Sequence, residues 1–319
     1  MRTLFFLISI LQFSSIWAQT NPQKEDSIQQ KTEQLKEVIV SANTILGSKF
    51  EIKNKTGSAS YISEEELKKF SHTNINRVLQ TVPGINIYEE DGFGLRPNIS
   101  LRGTSPERSA KINLMEDGIL IAPAPYSAPA AYYFPTIGRM QAIEVLKGSS
   151  QIQYGPNTTG GAINMISSRI PDKFSGRASI AAGNYDSRNT QLVIGDSYKN
   201  FGFVTDYFNY NSDGFKNLDG GGNTGFDKSD YSAKFRVNSN LDAITYQSLT
   251  FKIQYSEEEA NETYLGLTDE DFEESPFRRY RASSEDVMNA EHQQYQLTHF
   301  IRLSSSLDIS TTGYLNKFK

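Results

Sequence analysis

Most of the chemistry that these residues could support is excluded by their spacing. The three histidines, His72, His292 and His299, are scattered and show no metal-ligand spacing. The acid-rich run Glu257, Glu258, Glu259, Glu262, Asp269, Glu270, Asp271, Glu273 and Glu274 offers oxygens that hard cations accept. It lacks the spaced ligands and turn glycine of a dedicated calcium loop and reads as a solvated loop. Gly155-Pro156-Asn157-Thr158-Thr159-Gly160 has phosphate-loop spacing, yet Gly161-Ala162 follows where Lys and Ser or Thr are needed, so nucleotide binding is rejected. No nucleophile, base and acid can be assembled, and the chain is read as a non-enzyme without a cofactor. What remains is positive charge around one loop. Arg102, Arg108 and Lys111 could hold an anion, because arginine supplies fixed charge and a planar fork of donors. Alternatively, Arg102 pairs with a carboxylate such as Glu144, and Arg108 and Lys111 are solvated loop charges.

The elements that must position these residues are short apolar runs between Ile99 and Ile166, each stopped by glycine or an acid-glycine pair, as strands joined by tight turns are. Before them, Ser63 with Glu66 three later forms a capping box that opens a helix. A second short helix is expected near Asn74 to Gln80, with Ile75, Val78 and Leu79 on one face, and a strand over Ile85 to Tyr88. Together these predict an α+β domain over residues 44–171.

On the N-terminal side, Met1 to Ala18 has Arg2, an apolar core and a small residue before Gln19, the layout of a secretory signal peptide (1–18). Residues 19–43 are a linker too polar to bury a core. It contains one β-branched run, Glu37, Val38, Ile39, Val40, Ser41 and Ala42. Such a strand can be captured at the edge of a partner's sheet, or it is the first strand of the domain that follows.

Beyond Pro171 the pattern changes to strict alternation. Leu249, Phe251, Ile253 and Tyr255 share one face against Thr250, Lys252 and Gln254; Tyr231, Ala233, Phe235 and Val237 oppose Ser232, Lys234 and Arg236. Strands are expected at about 176–184, 188–195, 200–210, 229–238, 245–255, 292–303 and 307–316. The joins between them alternate short and long, as periplasmic turns and external loops of a membrane barrel do, although a sandwich shares the alternation. Seven strands cannot enclose a domain of this size, since plugged barrels need about 22. Residues 172–319 are therefore expected to be the N-terminal part of a larger barrel.

Composition agrees. The 319 residues include 17 Tyr and 19 Phe but no Cys, with a net charge of −5. The mean hydropathy of −0.50 leaves no room for a bundle of membrane helices, though it permits a barrel, and the acidity argues against nucleic acid as a partner.

The parts in series resemble a TonB-dependent outer-membrane receptor. The likeness rests on Leu101-Arg102-Gly103, Met115-Glu116-Asp117-Gly118, Ile143-Glu144-Val145-Leu146-Lys147-Gly148, Tyr154-Gly155 and Gly160-Gly161-Ala162-Ile163-Asn164. It implies an α+β plug domain followed by the first strands of an incomplete transmembrane antiparallel β-barrel. Glu37 to Ala42 then resembles the TonB box, the partner being TonB with its inner-membrane energising complex, and the location is the outer membrane and its lipids. The family likeness extends to ferric citrate receptors through Ala124-Pro125-Tyr126 and the segments 261–271 and 279–283, with Ala128 where those receptors carry a glutamine. An iron chelate, ferric citrate or a siderophore, is thus the implied ligand, at Arg102, Arg108, Lys111, Tyr126 and Asn157. The alternative is a TonB-dependent importer of a glycan or peptide.

Overall fold

The computed structural model describes residues 58–70, 73–121, 130, 133–148, 154–155, 159–241, 243–304 and 306–319. The expected signal peptide and the strand Glu37 to Ala42 lie outside these residues, as do Tyr126, Ala128 and Asn157.

Ser63 and Glu66 close the expected reciprocal cap. The Ser63 amide and hydroxyl donate to Glu66 Oε2 at 2.7 Å, and the Glu66 amide donates to Ser63 Oγ at 3.3 Å. Two amides that a helix start leaves without partners are thereby met, and α1 (Glu64–Phe70) begins. Asn74 caps α2 (Ile75–Leu79), accepting from the Asn76 amide at 2.8 Å. This short helix turns Ile75, Val78 and Leu79 into a core that also holds Leu114, Ile143, Val145 and Ile163.

The last four residues belong to a five-stranded sheet, ordered β1 (Ser58–Ile62), β6 (Met140–Lys147), β7 (Gly161–Ser167), β4 (Ile112–Glu116) and β5 (Ile119–Leu120). β4 and β7 are parallel; the other neighbours are antiparallel. Intervening residues Met115, Leu146 and Ala162 form a separate cluster on the other face. Because both faces are covered, β4 and β7 are buried along their whole length, which explains why their sequences do not alternate. A second sheet pairs β2 (Ile85–Tyr88) with β3 (Asn98–Leu101). The turn between β4 and β5 is Asp117-Gly118, with φ of 50° and 81°. Both residues need positive φ in a two-residue hairpin of this hand, which suits Asp-Gly. It also fixes where the Asp117 carboxylate points.

The second half is a seven-stranded antiparallel wall: β8 (Ser175–Ala182), β9 (Arg188–Ser197), β10 (Phe201–Ser212), β12 (Phe226–Asn238), β13 (Tyr246–Ala260), β15 (Met288–Ser304) and β16 (Leu307–Phe318). All seven expected strands are present. On the outer face, Tyr207, Tyr231 and Tyr255 stand abreast, as do Phe203, Phe235, Phe251 and Leu297, then Phe201, Val237 and Leu249. From Tyr207 to Phe201 is about 20 Å along the strand at ~3.4 Å per residue. An apolar band about 25 Å tall with an aromatic girdle is what membrane barrels present to lipid. Beyond the tyrosines the outer row turns polar at Asn209, Ser229 and Glu257. The inner face is polar and buried, with Lys252 2% exposed and Gln254 1%, because the α+β domain lies against it. No described helix is long and apolar enough to cross a membrane.

One boundary differs from the sequence reading. β13 runs on to Ala260 and β15 begins at Met288, so the second long join, expected over 256–291, is residues 261–287. The acid-rich composition of residues 256–260 hid a continuing strand. Alternation persists there, with Ser256, Glu258 and Ala260 buried and Glu257 and Glu259 exposed. The long joins also carry structure: β11 (Asn217–Leu218) pairs in parallel with β14 (Arg278–Arg279), and α3 (Asp269–Glu274) is capped by Thr268.

Candidate functional site

Where the α+β domain meets the wall, the polar inner face predicted by alternation finds its partners. The 3-10 turn Ile137–Arg139 delivers Arg139 to the start of β6, fully buried. Its two terminal nitrogens donate to Glu116 Oε1 and Oε2 at 2.7 and 2.8 Å, and Nε donates to Asp230 Oδ2 of β12 at 2.8 Å. From β13, Lys252 Nζ donates to Glu116 Oε1 at 2.6 Å and to Asp117 Oδ2 at 2.7 Å. Lys234 of β12 reaches Asp117 at 3.0 Å. Three cations (Arg139, Lys234, Lys252) thus face three anions (Glu116, Asp117, Asp230), all at most 8% exposed at the side chain.

The remaining lone pairs are also used. Ser167 donates to Asp117 by its amide and hydroxyl, Ser256 Oγ donates to Asp230 at 2.5 Å, and the Tyr133 hydroxyl donates to Glu116 Oε2 at 3.2 Å. Gln254 Nε2 donates in turn to the Tyr133 hydroxyl, and the ring of His292 stacks on that of Tyr133 at 3.9 Å. Burial alone would raise the Glu116 carboxyl, but Arg139 and Lys252 reverse this and hold it well below the usual carboxylate range. Asp117 is likewise depressed, burial being outweighed by Lys234 and Lys252. Buried ions tolerate this setting only when matched and hydrogen-bonded, and here they are.

Toward the long joins, the seam continues through Lys228, which donates to Glu258 Oε2 at 2.8 Å and to the Phe134 carbonyl at 2.8 Å. Glu258 also meets Arg96 of the loop between β2 and β3 at 2.6 Å, and Arg96 reaches Glu262 at 3.2 Å. That loop is shaped by Asp91, whose carboxylate accepts from the amides of Phe93, Gly94 and Arg96. Leu95 packs with Phe208, Tyr210, Phe226 and Ala260 of the wall. Above the loop opens a cleft of about 600 Å³ between residues 90–95 and the long joins of the wall.

The expected ligand residues fall as follows. Arg108 (φ 50°) is exposed beside this loop, its amide donating to Asn98 Oδ1 at 2.8 Å. Arg102 (φ 54°) lies at the far end of β3, its Nη2 donating to the Lys147 carbonyl at 3.2 Å. The four-residue strand keeps these two apart by about 10 Å. Lys111 is exposed next to Gly160, whose amide donates to the Lys111 carbonyl at 2.7 Å. Arg102 does not meet Glu144, which is buried and accepts from Asn164 at 2.8 Å.

The acidic run is only partly a solvated loop. Glu258 is buried in ion pairs, and Asp271 accepts from Arg278 at 2.8 Å. Among the described residues no group of acids and histidines could hold a metal. Arg278 and Arg279 staple the loops together. Arg278 bonds Asp219, and the buried Arg279 donates to Ser283 Oγ at 3.0 Å. Sequence reading missed the partnership of Arg139 with Glu116 and Asp230. The available signal was two lysines, Lys234 and Lys252, on the inward face of wall strands, which require anions opposite.

Comparisons with known proteins agree with this architecture. Residues 51–162 match the family described as TonB-dependent Receptor Plug Domain. The fold resembles that of the ferric citrate transporter FecA in unliganded form, with TM-score 0.71 and 20% identity, covering 86% of this chain and 41% of that one. The ferric yersiniabactin uptake receptor FyuA from Yersinia pestis gives TM-score 0.62 and 18% identity, covering 84% and 42%. The siderophore receptor PirA from Acinetobacter baumannii gives 0.59 and 17%, covering 84% and 40%. The chain therefore spans about two-fifths of the receptors that it matches. The matched proteins are receptors and transporters, not enzymes.

Proposed function

We propose that this chain, which carries a TonB-dependent receptor plug domain ahead of the antiparallel wall strands of that receptor fold, belongs to an outer-membrane transporter that takes up an iron chelate in a Gram-negative bacterium. The chelate, ferric citrate or a siderophore, enters from the side of the long joins, and Arg108 and Lys111 offer exposed cationic heads to its oxygens. Arg102, Tyr126 and Asn157 complete the proposed contacts. TonB captures Glu37 to Ala42 by strand addition and, driven from the inner membrane, pulls the plug against the wall.

The observation that supports this reading best is the seam itself. A plug that must shift is better seated on matched charges than on a dry apolar face. Opening an apolar interface exposes area at about 25 cal/mol per Å². Separated ion pairs regain water, which offsets much of their lost attraction.

The test is growth and binding with the full-length receptor in iron-starved cells. Iron-loaded chelates should bind and restore growth, and oligosaccharides and peptides should do neither. Uptake of an oligosaccharide or peptide, with no chelate bound, contradicts the proposal.

A further inference from the structure

The wall grips the α+β domain unevenly. From β10 to β13 every strand holds it by side-chain bonds. Asp206 of β10 accepts from Ser168; Lys228, Asp230 and Lys234 of β12 meet Phe134, Arg139 and Asp117; Lys252 of β13 meets Glu116 and Asp117. C-terminal to His292 on β15 this pattern stops. Gln294, Gln296 and Thr298 share the inner face with Gln254 and Lys252, and they are 0%, 5% and 7% exposed. Their bonds nevertheless stay within the wall. Gln294 Nε2 donates to Asn316 Oδ1 at 3.0 Å, Gln296 Nε2 donates to Thr298 Oγ1 at 3.2 Å, and the hydroxyls of Thr298 and Thr312 lie 3.1 Å apart. β16 reaches the domain through Asn316, whose Nδ2 donates to the Leu120 carbonyl at 3.1 Å, and through Phe318. Thr312 and Tyr314, on the same face, are exposed.

The same stretch holds buried polar atoms that find no hydrogen-bond partner among the described residues. They are Oε1 of Gln254, Gln294 and Gln296, and both ring nitrogens of His292. Three adjacent cross-strand pairs carry them all: Ser256 with His292, Gln254 with Gln294, and Lys252 with Gln296. A buried acceptor without a donor costs free energy that wetting returns. Parting the contact here therefore restores hydrogen bonds, whereas parting it at β12 separates matched ions.

We infer that the α+β domain leaves the wall first along β15, and that the ferric chelate passes between the two over Gln294, Gln296, Thr298 and Thr312. The inference rests on the proposed uptake function, since it locates the passage of that same transporter. Amide and hydroxyl donors suit the oxygens of such a complex. With no fixed charge among them, these side chains hold it weakly enough to let it go. The ion pairs of β12 and β13 mark the side that stays closed longest.

The experiment uses the full-length receptor in iron-starved cells, with radiolabelled ferric dicitrate and a ferric trihydroxamate as probes. Thr312→Trp puts a bulky ring at an exposed inward position on this route. Ser179→Trp is its counterpart, exposed on the inner face of β8 at the far end of the sheet, opposite the buried Gln191. Thr312→Trp should cut uptake at least fivefold and leave binding within twofold, and Ser179→Trp should leave both within twofold. Gln296→Leu removes an unpartnered acceptor while Thr298 keeps Thr312. It should raise the thermal midpoint and slow uptake about threefold. Uptake untouched by Thr312→Trp, or an equal loss in Ser179→Trp, overturns the route while leaving transport standing. A lower midpoint with unchanged uptake in Gln296→Leu overturns it as well. Failure of the unsubstituted receptor to take up either probe counts against transport itself, and the route falls with it.

Discussion

The seam and the cleft are built from the same residue types and treat them oppositely. In the seam, three cations answer three anions at distances of 2.6 to 3.0 Å, out of reach of water. In the cleft, carboxylates outnumber cations by five to one, and three of the five, Glu90, Glu285 and Asp286, are open to solvent. Balanced charge closes an interface, because any surplus ion there is left desolvated and unpaired. At an open surface water screens such a surplus, so these carboxylates need no matching cations among the described residues. The same chain can therefore fasten one domain to another at mid-wall and keep an open, hydrated cleft a few residues further up the same strands.

Breaking the balance in the seam should have the largest effect. Arg139→Ala removes the group that two buried carboxylates share, and destabilisation of about 3–5 kcal/mol is expected. It is measured as a lower thermal midpoint of the full-length receptor and earlier proteolysis of the plug. Lys234→Ala should cost less, about 1–3 kcal/mol, because Lys252 still serves Asp117.

Acid should separate the two regions. Glu116 and Asp117 have folded-state values far below those of free carboxyls. Such groups stabilise the fold fully above the unfolded value near pH ~4, and the contribution declines as pH falls from there toward the folded value. The seam should thus be unaffected between pH 8 and 5 and weaken only in stronger acid, as followed by plug proteolysis. In the cleft, burial pushes the Glu262 carboxyl up to about 7. Chelate binding by the full-length receptor should change as pH passes through about 7 while the seam holds, and Glu262→Gln should flatten that profile.

The smallest structural effect is expected from Arg102→Ala, within about 0.5 kcal/mol, since the side chain is exposed and makes one 3.2 Å bond. A larger loss of stability would mean that Arg102 belongs to the seam. Reduced chelate binding with unchanged stability would place it at the ligand.

These differences also explain what was legible beforehand. The capping box at Ser63, the Asp117-Gly118 turn and the period-two wall strands were readable because each is a local rule, satisfied within a few residues. The seam was not, because Arg139 and Asp230 are 91 positions apart and Lys252 and Glu116 are 136 apart. Only the inward-facing lysines announced that something anionic must lie opposite. The end of β13 was misplaced because Glu257, Glu258 and Glu259 look like loop, while Glu258 is buried by partners from two other segments. The acidic character of the cleft was visible as composition, but which acids are consumed by Arg96, Lys228 and Arg278 required the fold.

In the proposed transport, ligand recognition and energy-driven release are separate tasks of one receptor. The most direct measurement is chelate binding and chelate uptake by the full-length receptor with and without residues 37–42. Deletion of Glu37 to Ala42 should abolish uptake and leave binding within about twofold of the intact receptor, since a twofold change is only about 0.4 kcal/mol. Uptake that survives the deletion, or binding that is lost with it, would contradict the account.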